Sequence, residues 1–260
     1  MKRFENSAAS SAVDSATCLF WMRRDLRLHD NAGLYHALKE NESVLPIFIF
    51  DTSILDKLDD PADARVEFIH QSLQMIREEL ESLGSSMLVL HGNPVDIFSA
   101  LNPKAVETNS DYEPYARQRD EAVRKLLESK GVAFKSFKDQ VIFEKDEIVK
   151  DDGKPYTVYT PYSKKWKATL KTEHYRRYNN EAYFKHFKKI KPLPFPALHD
   201  IGFKASGIHF PERKIRQSVI QKYHLQRDLP ALDSTSRLSV HLRFGTVSIR
   251  KLTQVGLAKK

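Results

Sequence analysis

The chain has 260 residues, 41% hydrophobic and 29% charged, with a formal net charge of +8. That is enough for one large domain or two small ones and is the composition of a water-soluble globular protein, since no apolar run approaches the ~20 residues that span a bilayer. The single cysteine, Cys18, excludes an intramolecular disulfide and a cysteine-rich metal site, and the ten histidines show no H-x-x-x-H spacing beside an acid.

The first fifteen residues, "MKRFENSAASSAVDS", lack both the apolar stretch of a secretory signal and the acid-poor, Arg-rich make-up of a transit peptide. They read as a disordered tail (residues 1–15) on a cytoplasmic protein. "CLFWM" (18–22) then reads as a strand, which places Cys18 as a small buried hydrophobe rather than a nucleophile. A short helix from Asn31 to Leu38 follows, capped by Asp30 or Asn31, whose side-chain oxygens can accept from its free N–H groups. "VLPIFIF" (44–50) is a strand covered on both faces. From Ala62 to Leu83, Val66, Ile69, Leu73, Ile76, Leu80 and Leu83 recur at spacings of three and four, and Gly84 stops the helix. Further strands are predicted at 87–92, 105–109 and 132–137, with helices over 94–100 and 113–130. Strand–helix alternation implies right-handed crossovers and a parallel sheet flanked by helices, an α/β, Rossmann-like unit over 16–145. Ligands of such sheets bind beyond the C-terminal ends of the strands, where "RRDLRLHDN" (23–31) lies.

After "VIFE" (141–144) the pattern breaks. Turn signals at Asp152-Gly153 and Lys154-Pro155 precede an extended aromatic stretch, "YTVYTPYSKKW". Residues 146–210 read as an interdomain linker, and 211–260 as the beginning of a helical domain. The basic character is local: residues 164–191 hold ten Lys/Arg against two acids, so the remainder is neutral. Interleaved with those charges are Trp166, Tyr175, Tyr178, Tyr183, Phe184 and Phe187. Cations and rings together suit nucleic acid, but the same rings could instead pack a linker onto the first domain.

No G-x-G-x-x-G, Walker A or G-x-S-x-G motif is present, which argues against a dinucleotide-binding dehydrogenase, a P-loop enzyme and a serine hydrolase. In "DSTSRLSVHLRFGTVS" (233–248), Ser234, Thr235, Ser236 and Ser239 crowd ahead of a predicted helix, with Arg237 and Arg243 nearby. Hydroxyls at a helix start suit a phosphate; an ordinary Ser/Thr cap fits the same residues.

Three stretches together are similar to the DNA photolyase/cryptochrome family. "RRDLRLHDN" resembles its opening R-x-D-L-R-x-x-D-N, "PYTVYTPYSKKW" (155–166) its interdomain signature, and "QRDLPALDSTSRLSVHLRFG" (226–245) the start of its flavin-binding region. The resemblance implies an α/β domain able to hold an antenna chromophore and a helical domain holding FAD. It implies flavin-phosphate contacts at Tyr223, Thr235, Ser236, Arg237, Leu238 and Ser239, and a DNA-phosphate contact at Arg227. The implied reaction is light-driven splitting of cyclobutane pyrimidine dimers in damaged DNA by a monomeric enzyme without a membrane partner or a metal. A cryptochrome-type signalling flavoprotein and a stand-alone α/β chromophore-binding module are the alternatives. Against the family pattern, Val240 stands where proline is usual. Tyr115 and Ala116 stand where folate-type members carry an Asn-Glu pair, which disfavours a folate antenna. The chain ends at "GLAKK", so the expected content is the phosphate half of the flavin site, no catalytic residue, and a part inactive alone. The charged knot Arg23, Arg24, Asp25, Arg27, Asp30 reads as a salt-bridged, capped strand-to-helix turn bordering an antenna cleft.

Overall fold

The computed structural model describes residues 11–214 and 216–258. Five strands, β1 (Cys18–Met22), β2 (Val44–Asp51), β3 (Leu88–Gly92), β4 (Ala105–Asn109) and β5 (Ala133–Phe137), form one sheet in the order β3-β2-β1-β4-β5. Every neighbouring pair is parallel. Side chains alternate across a strand, so β2 sends Val44, Phe48 and Phe50 to one face and Leu45, Ile47 and Ile49 to the other. Helices α1 (Ala32–Glu40) and α2 (Ala64–Ser82) cover the first face through Leu34, Leu38, Leu73, Ile76 and Leu80. Helices α3 (Pro94–Ala100) and α4 (Pro114–Ser129) cover the second through Phe98, Val123 and Leu127. The chain therefore winds outward from β1 to β3, then returns to lay β4 on the other side of β1. The helices change face at that reversal, and a crevice opens between the C-terminal ends of β1 and β4.

Cys18 is fully buried, as expected of a packing residue, and burial pushes its thiol far above the ordinary value. Of the two predicted caps for α1, Asn31 serves: its side chain accepts from Leu34 N at 3.1 Å. Gly33, in the first turn, is required by proximity. A Cβ there would stand 2.8 Å from Asn109 Oδ1 and 2.9 Å from the Phe20 ring.

The tail reading changes at its inner end. Residues 1–10 lie outside the described residues, but Ala12 and Val13 are buried in the second-face core, and Asp14 pairs with Lys188 at 2.8 Å. The aromatic stretch expected to be extended is instead helical from its middle, as α5 (Tyr159–Thr169). Pro161 occupies the first turn, where the backbone N–H has no intrahelical partner, so proline breaks no bond. Trp166 and Leu170 then pack on Ile142, Phe143 and Ile148 in a small third cluster.

The structure decides between the two readings of the basic segment's rings. Phe187 is 1% exposed in the first-face core, bridges to Val44 as a short parallel extension of the sheet, and is followed by Lys188 N donating to Val44 O at 2.8 Å. Tyr183 and Phe184 pack against the same core, and Tyr178 and Tyr183 lie on Tyr35 with centroids 5.2 and 5.5 Å away. These rings attach the segment to the α/β unit; they are not stacking platforms. Phe187→Ala is expected to cost about 3–5 kcal/mol, the usual loss for a buried Phe, read as a shift in denaturant midpoint. A loss below about 1 kcal/mol would contradict this anchoring role.

Beyond residue 211 every described regular element is helical: α6 (Gln217–Gln226), α7 (Ser239–Arg243) and α8 (Ile249–Leu257). Among the described residues, no helix is long and apolar enough to cross a membrane, and no group of three or more His, Cys, Asp or Glu could hold a metal ion.

Candidate functional site

A cleft of about 750 Å³ opens at the reversal point of the sheet. Its floor and one wall are apolar, formed by Phe48, Phe50, Leu55, Val66 and Ile69. Its polar rim comes from residues that directly follow strands: Arg23 and Arg24 after β1, Asp51 ending β2, and Asp111 after β4. The N-terminal turn of α4 contributes Tyr115 and Ala116, and α7 closes the far wall with Ser239, Val240 and Arg243. Asp51 caps a one-turn helix (Thr52–Leu55) by accepting from Ser53 N at 3.0 Å, and its second oxygen accepts from the Tyr115 hydroxyl at 2.7 Å. Burial raises the Tyr115 phenol above its ordinary value, and the neighbouring carboxylate adds to this, so the phenol remains a donor.

Behind the cleft rim formed by Arg23 and Arg24, the opening motif buries Asp25, Arg27, Leu28, Asp30 and Asn31. Asp25 is 1% exposed; its carboxylate accepts from Arg23 N at 2.7 Å and Asn109 Nδ2 at 2.6 Å. Arg23 pairs with Asp120 of α4, and its guanidinium lies 4.7 Å from the Trp21 ring centroid. Arg27 and Arg250 converge on Asp139, with closest approaches of 2.7 and 2.8 Å. Arg250 also reaches Asp30 at 2.9 Å, and Ser248 donates to the other Asp30 oxygen. Asp30 further accepts from Tyr178 N at 2.9 Å, and Asn31 and Asn180 exchange two hydrogen bonds. This places a buried two-arginine, two-aspartate cluster between the α/β unit, the linker and α8. The expectation of a capped, salt-bridged turn holds, but the turn's partners are distant in sequence and it joins the parts of the molecule.

His29, in the same turn, bridges Glu79 of α2 at 2.7 Å and Glu181 of the linker at 2.8 Å. Hydrogen bonding to Glu79, opposed by partial burial and reinforced by Glu181, raises its pKa from 6.5 to about 9. Arg177 beside Glu181 and Arg213 near Glu79 are the neighbouring cations. A raised folded pKa stabilises the fold fully below the unfolded value of 6.5 and loses that contribution as pH rises through about 9. The wild-type melting temperature should therefore exceed that of His29→Gln at pH 6, with the gap closing by pH ~10. A pH-independent gap would contradict the bridge.

The residues expected at flavin phosphates come together only in part. Thr235 and Ser239 are exposed, Ser236 is half-buried, and no described group occupies their hydroxyls. Leu238 is buried and acts as a packing residue. Arg237 sits at φ +50 with its guanidinium 3.0 Å from Asp233. Ser234, part of the same hydroxyl cluster, is turned inward and donates to Gln226 O at 2.8 Å, which fastens the stretch to the end of α6. Tyr223 is exposed one turn earlier on α6, and the Arg227 guanidinium lies 5.7 Å from its ring centroid. Thr235, Ser236 and Ser239 offer hydroxyl donors, and Tyr223 and Arg227 offer a phenol and a guanidinium, groups of the kind that fit an anion.

Sequence reasoning missed Asp51, Lys57 and Arg119 in the cleft and Asp139, Ser248 and Arg250 in the cluster. Asp51 carried a usable signal, because it ends a strand on the binding edge. The others sit in a helix or in irregular segments, where no periodicity marks an inward-facing charge.

A doubly wound parallel sheet with a partly apolar, charge-rimmed cleft at its reversal point defines the class, an open α/β sheet whose binding edge lies beyond the strand ends. The family model of DNA photolyase matches residues 18–181, and the chain belongs to that family. It is 34% identical over 251 residues to an uncharacterized 31.6 kDa protein of Synechococcus sp. (strain PCC 6716), covering 89% of this chain and 86% of that one. It is 33% identical over 257 residues to the deoxyribodipyrimidine photo-lyase of Synechococcus sp. (strain ATCC 27144), covering 91% of this chain and 53% of that one. The crystal structure of an archaeal photolyase from Sulfolobus tokodaii, with two FAD molecules, superposes with a TM-score of 0.71 at 27% identity, covering 94% of this chain and 55% of that one. The chain thus spans about half the length of the photolyases it matches.

Proposed function

We propose that this chain supplies the chromophore-holding α/β unit and the first part of the flavin-binding unit of a light-dependent deoxyribodipyrimidine photo-lyase. The observation that carries the reading is the cleft: it lies at the reversal point of a family-defining sheet, and its walls come from both the α/β unit and α7. In this reading the cleft holds an antenna chromophore, and the Tyr115 ring and Ala116 methyl, lying where folate-type members carry an Asn-Glu pair, favour one other than a folate. Tyr223, Thr235, Ser236, Arg237 and Ser239 would hold the FAD phosphates, with buried Leu238 fixing the stretch, and Arg227 would meet DNA phosphate. FAD held there would supply light-driven electron donation to a cyclobutane pyrimidine dimer, the electron being returned once the ring has opened, while the residues of this chain would provide orientation and electrostatics. The chain acts as a monomer, and its lone buried cysteine suits the reducing cytoplasm.

Although the rings of the basic segment are packed inward, Lys164, Lys167, Arg176, Lys185 and Lys191 remain exposed. They suit the DNA backbone, so affinity for DNA should fall steeply with added salt. Salt-independent binding would remove them from the interface. The deciding experiment is blue-light loss of cyclobutane dimers from ultraviolet-irradiated DNA by the protein with its chromophores bound. Repair confined to illuminated samples is expected. Bound, reduced flavin without repair would favour a signalling flavoprotein, and absence of any retained chromophore would overturn the reading.

A further inference from the structure

Glu107 puts a carboxyl group with no exposed surface in the middle of β4. Its neighbours in register are Phe20 of β1 and Lys135 of the edge strand β5. One oxygen accepts from Asn41 Nδ2, just past α1, at 3.3 Å and stands 3.8 Å from Lys135 Nζ. The other has no hydrogen-bond partner among the described residues. Lys135 donates instead to Glu40, the exposed last residue of α1, at 2.5 Å. The second Glu40 oxygen lies 3.4 Å from Nδ1 of His36, whose ring stacks on Phe137 at the end of β5 with centroids 4.5 Å apart. One ammonium thus stands between two carboxyl groups, nearer the one in water. Of the other packed elements, β1 presents the buried Cys18 thiol, and Lys104 adds a cation on that side. His186 of the linker is turned to Leu38 O at 2.6 Å. None of these residues lines the cleft. A buried carboxylate without close compensation is costly, so burial raises the Glu107 pKa above its ordinary 4.5 against the pull of Lys135, while Glu40 raises that of Lys135.

We propose that Glu107, Lys135 and Glu40 form a proton-operated latch on the edge strand β5. With Glu107 protonated, Glu40 holds Lys135 outward. When Glu107 gives its proton to water, Lys135 is drawn inward to the new charge and Glu40 is left to His36. β5 leads within two residues to Asp139, on which Arg27 and Arg250 converge, so the latch acts on the strand that enters the joint with α8.

Denaturant unfolding of the wild type and of the isosteric Glu107→Gln, from about pH 4 to about pH 9, tests this. Because the folded pKa is raised, the contribution of Glu107 is fully present below the unfolded 4.5 and is lost as pH rises through the folded value. The unfolding constant of the wild type should therefore grow relative to Glu107→Gln by up to about tenfold per pH unit, then level off above the folded pKa. Glu40→Gln frees Lys135 for Glu107 and should move the levelling-off to lower pH; Lys135→Met removes the cation and should move it higher. Both altered side chains are exposed, and each variant is read against the same variant carrying Glu107→Gln, which cancels titrations elsewhere. Protection of the β5 amides should fall over the same range in the wild type and stay constant in Glu107→Gln. A gap between wild type and Glu107→Gln that does not change with pH would overturn the latch. So would a levelling-off unmoved by Glu40→Gln, which would show that Lys135 is not shared, or β5 protection indifferent to pH.

Discussion

Replacing Asp139 by alanine is expected to destabilise the protein by about 3–5 kcal/mol, because it leaves buried charge without its partner. The Asp139 side chain is fully buried, and it accepts from Arg27, from Arg250 and from Ala32 N at 2.9 Å. Burial alone would raise its pKa, but the Arg27 and Arg250 guanidiniums outweigh this and hold the carboxyl below its ordinary 3.8. Without it, Arg27 keeps only the backbone carbonyls of Asp30 and Gly245, and Arg250 keeps the Asp30 carboxylate, which already receives Ser248 and Tyr178. The loss should be visible in denaturant unfolding and as faster amide exchange across α8, which Arg250 fastens to the α/β unit. Asp139→Asn keeps an acceptor for Ala32 N and should fall between wild type and alanine. Because the folded carboxyl is depressed, the wild type keeps this contribution above pH ~4 and loses it as pH falls below that value. An alanine variant within about 1 kcal/mol of wild type would show that the cluster is no keystone.

Gly245→Ala should be comparably damaging for a different reason. Gly245 has φ +64, and a Cβ there would lie 2.1 Å from Arg24 O and 2.6 Å from Asp25 Cα, both backbone atoms that cannot swing aside. The left-handed conformation and the forced displacement together are expected to cost about 4 kcal/mol. Gly131→Ala is the internal control: its φ is +72, but nothing lies within 4 Å of the added methyl, so only the backbone contribution, about 1 kcal/mol, should appear. The two variants should also differ in function. Arg243 and Phe244 line the cleft immediately before Gly245, so Gly245→Ala should weaken binding of a flavin probe while Gly131→Ala retains it. Equal stability losses in the two would show that the contact with the turn after β1 is unimportant.

Particular elements show how much was legible in advance. The five strands and four helices of the α/β unit match their predicted positions to within about two residues at most ends, as usual for boundaries read by pattern. Their signals are local, an apolar run, a 3–4 spacing, a capping side chain. The aromatic stretch around Tyr159 read as extended because it lacks periodicity; it becomes helical only where Trp166 finds Phe143. In the same way, Phe187 among lysines resembles a stacking ring until Val44 appears beside it.

The site divides along the same line. The sequence by itself determined a parallel α/β unit, a binding edge after β1, the family resemblance, and the hydroxyl-rich stretch from Ser234 to Ser239. It did so because hydrophobic period, turn chemistry and motif spacing are written within a few residues. Only the tertiary structure decided the partners of the charges. "RRDLRLHDN" contacts residues as far away as Arg250, 220 positions along the chain from Asp30. Whether a given arginine faces solvent, a cleft or a buried aspartate depends on which distant segment folds over it. Lys57 carries no sequence signal at all; only the fold places it at the cleft, 5.6 Å from the centroid of the Tyr115 ring.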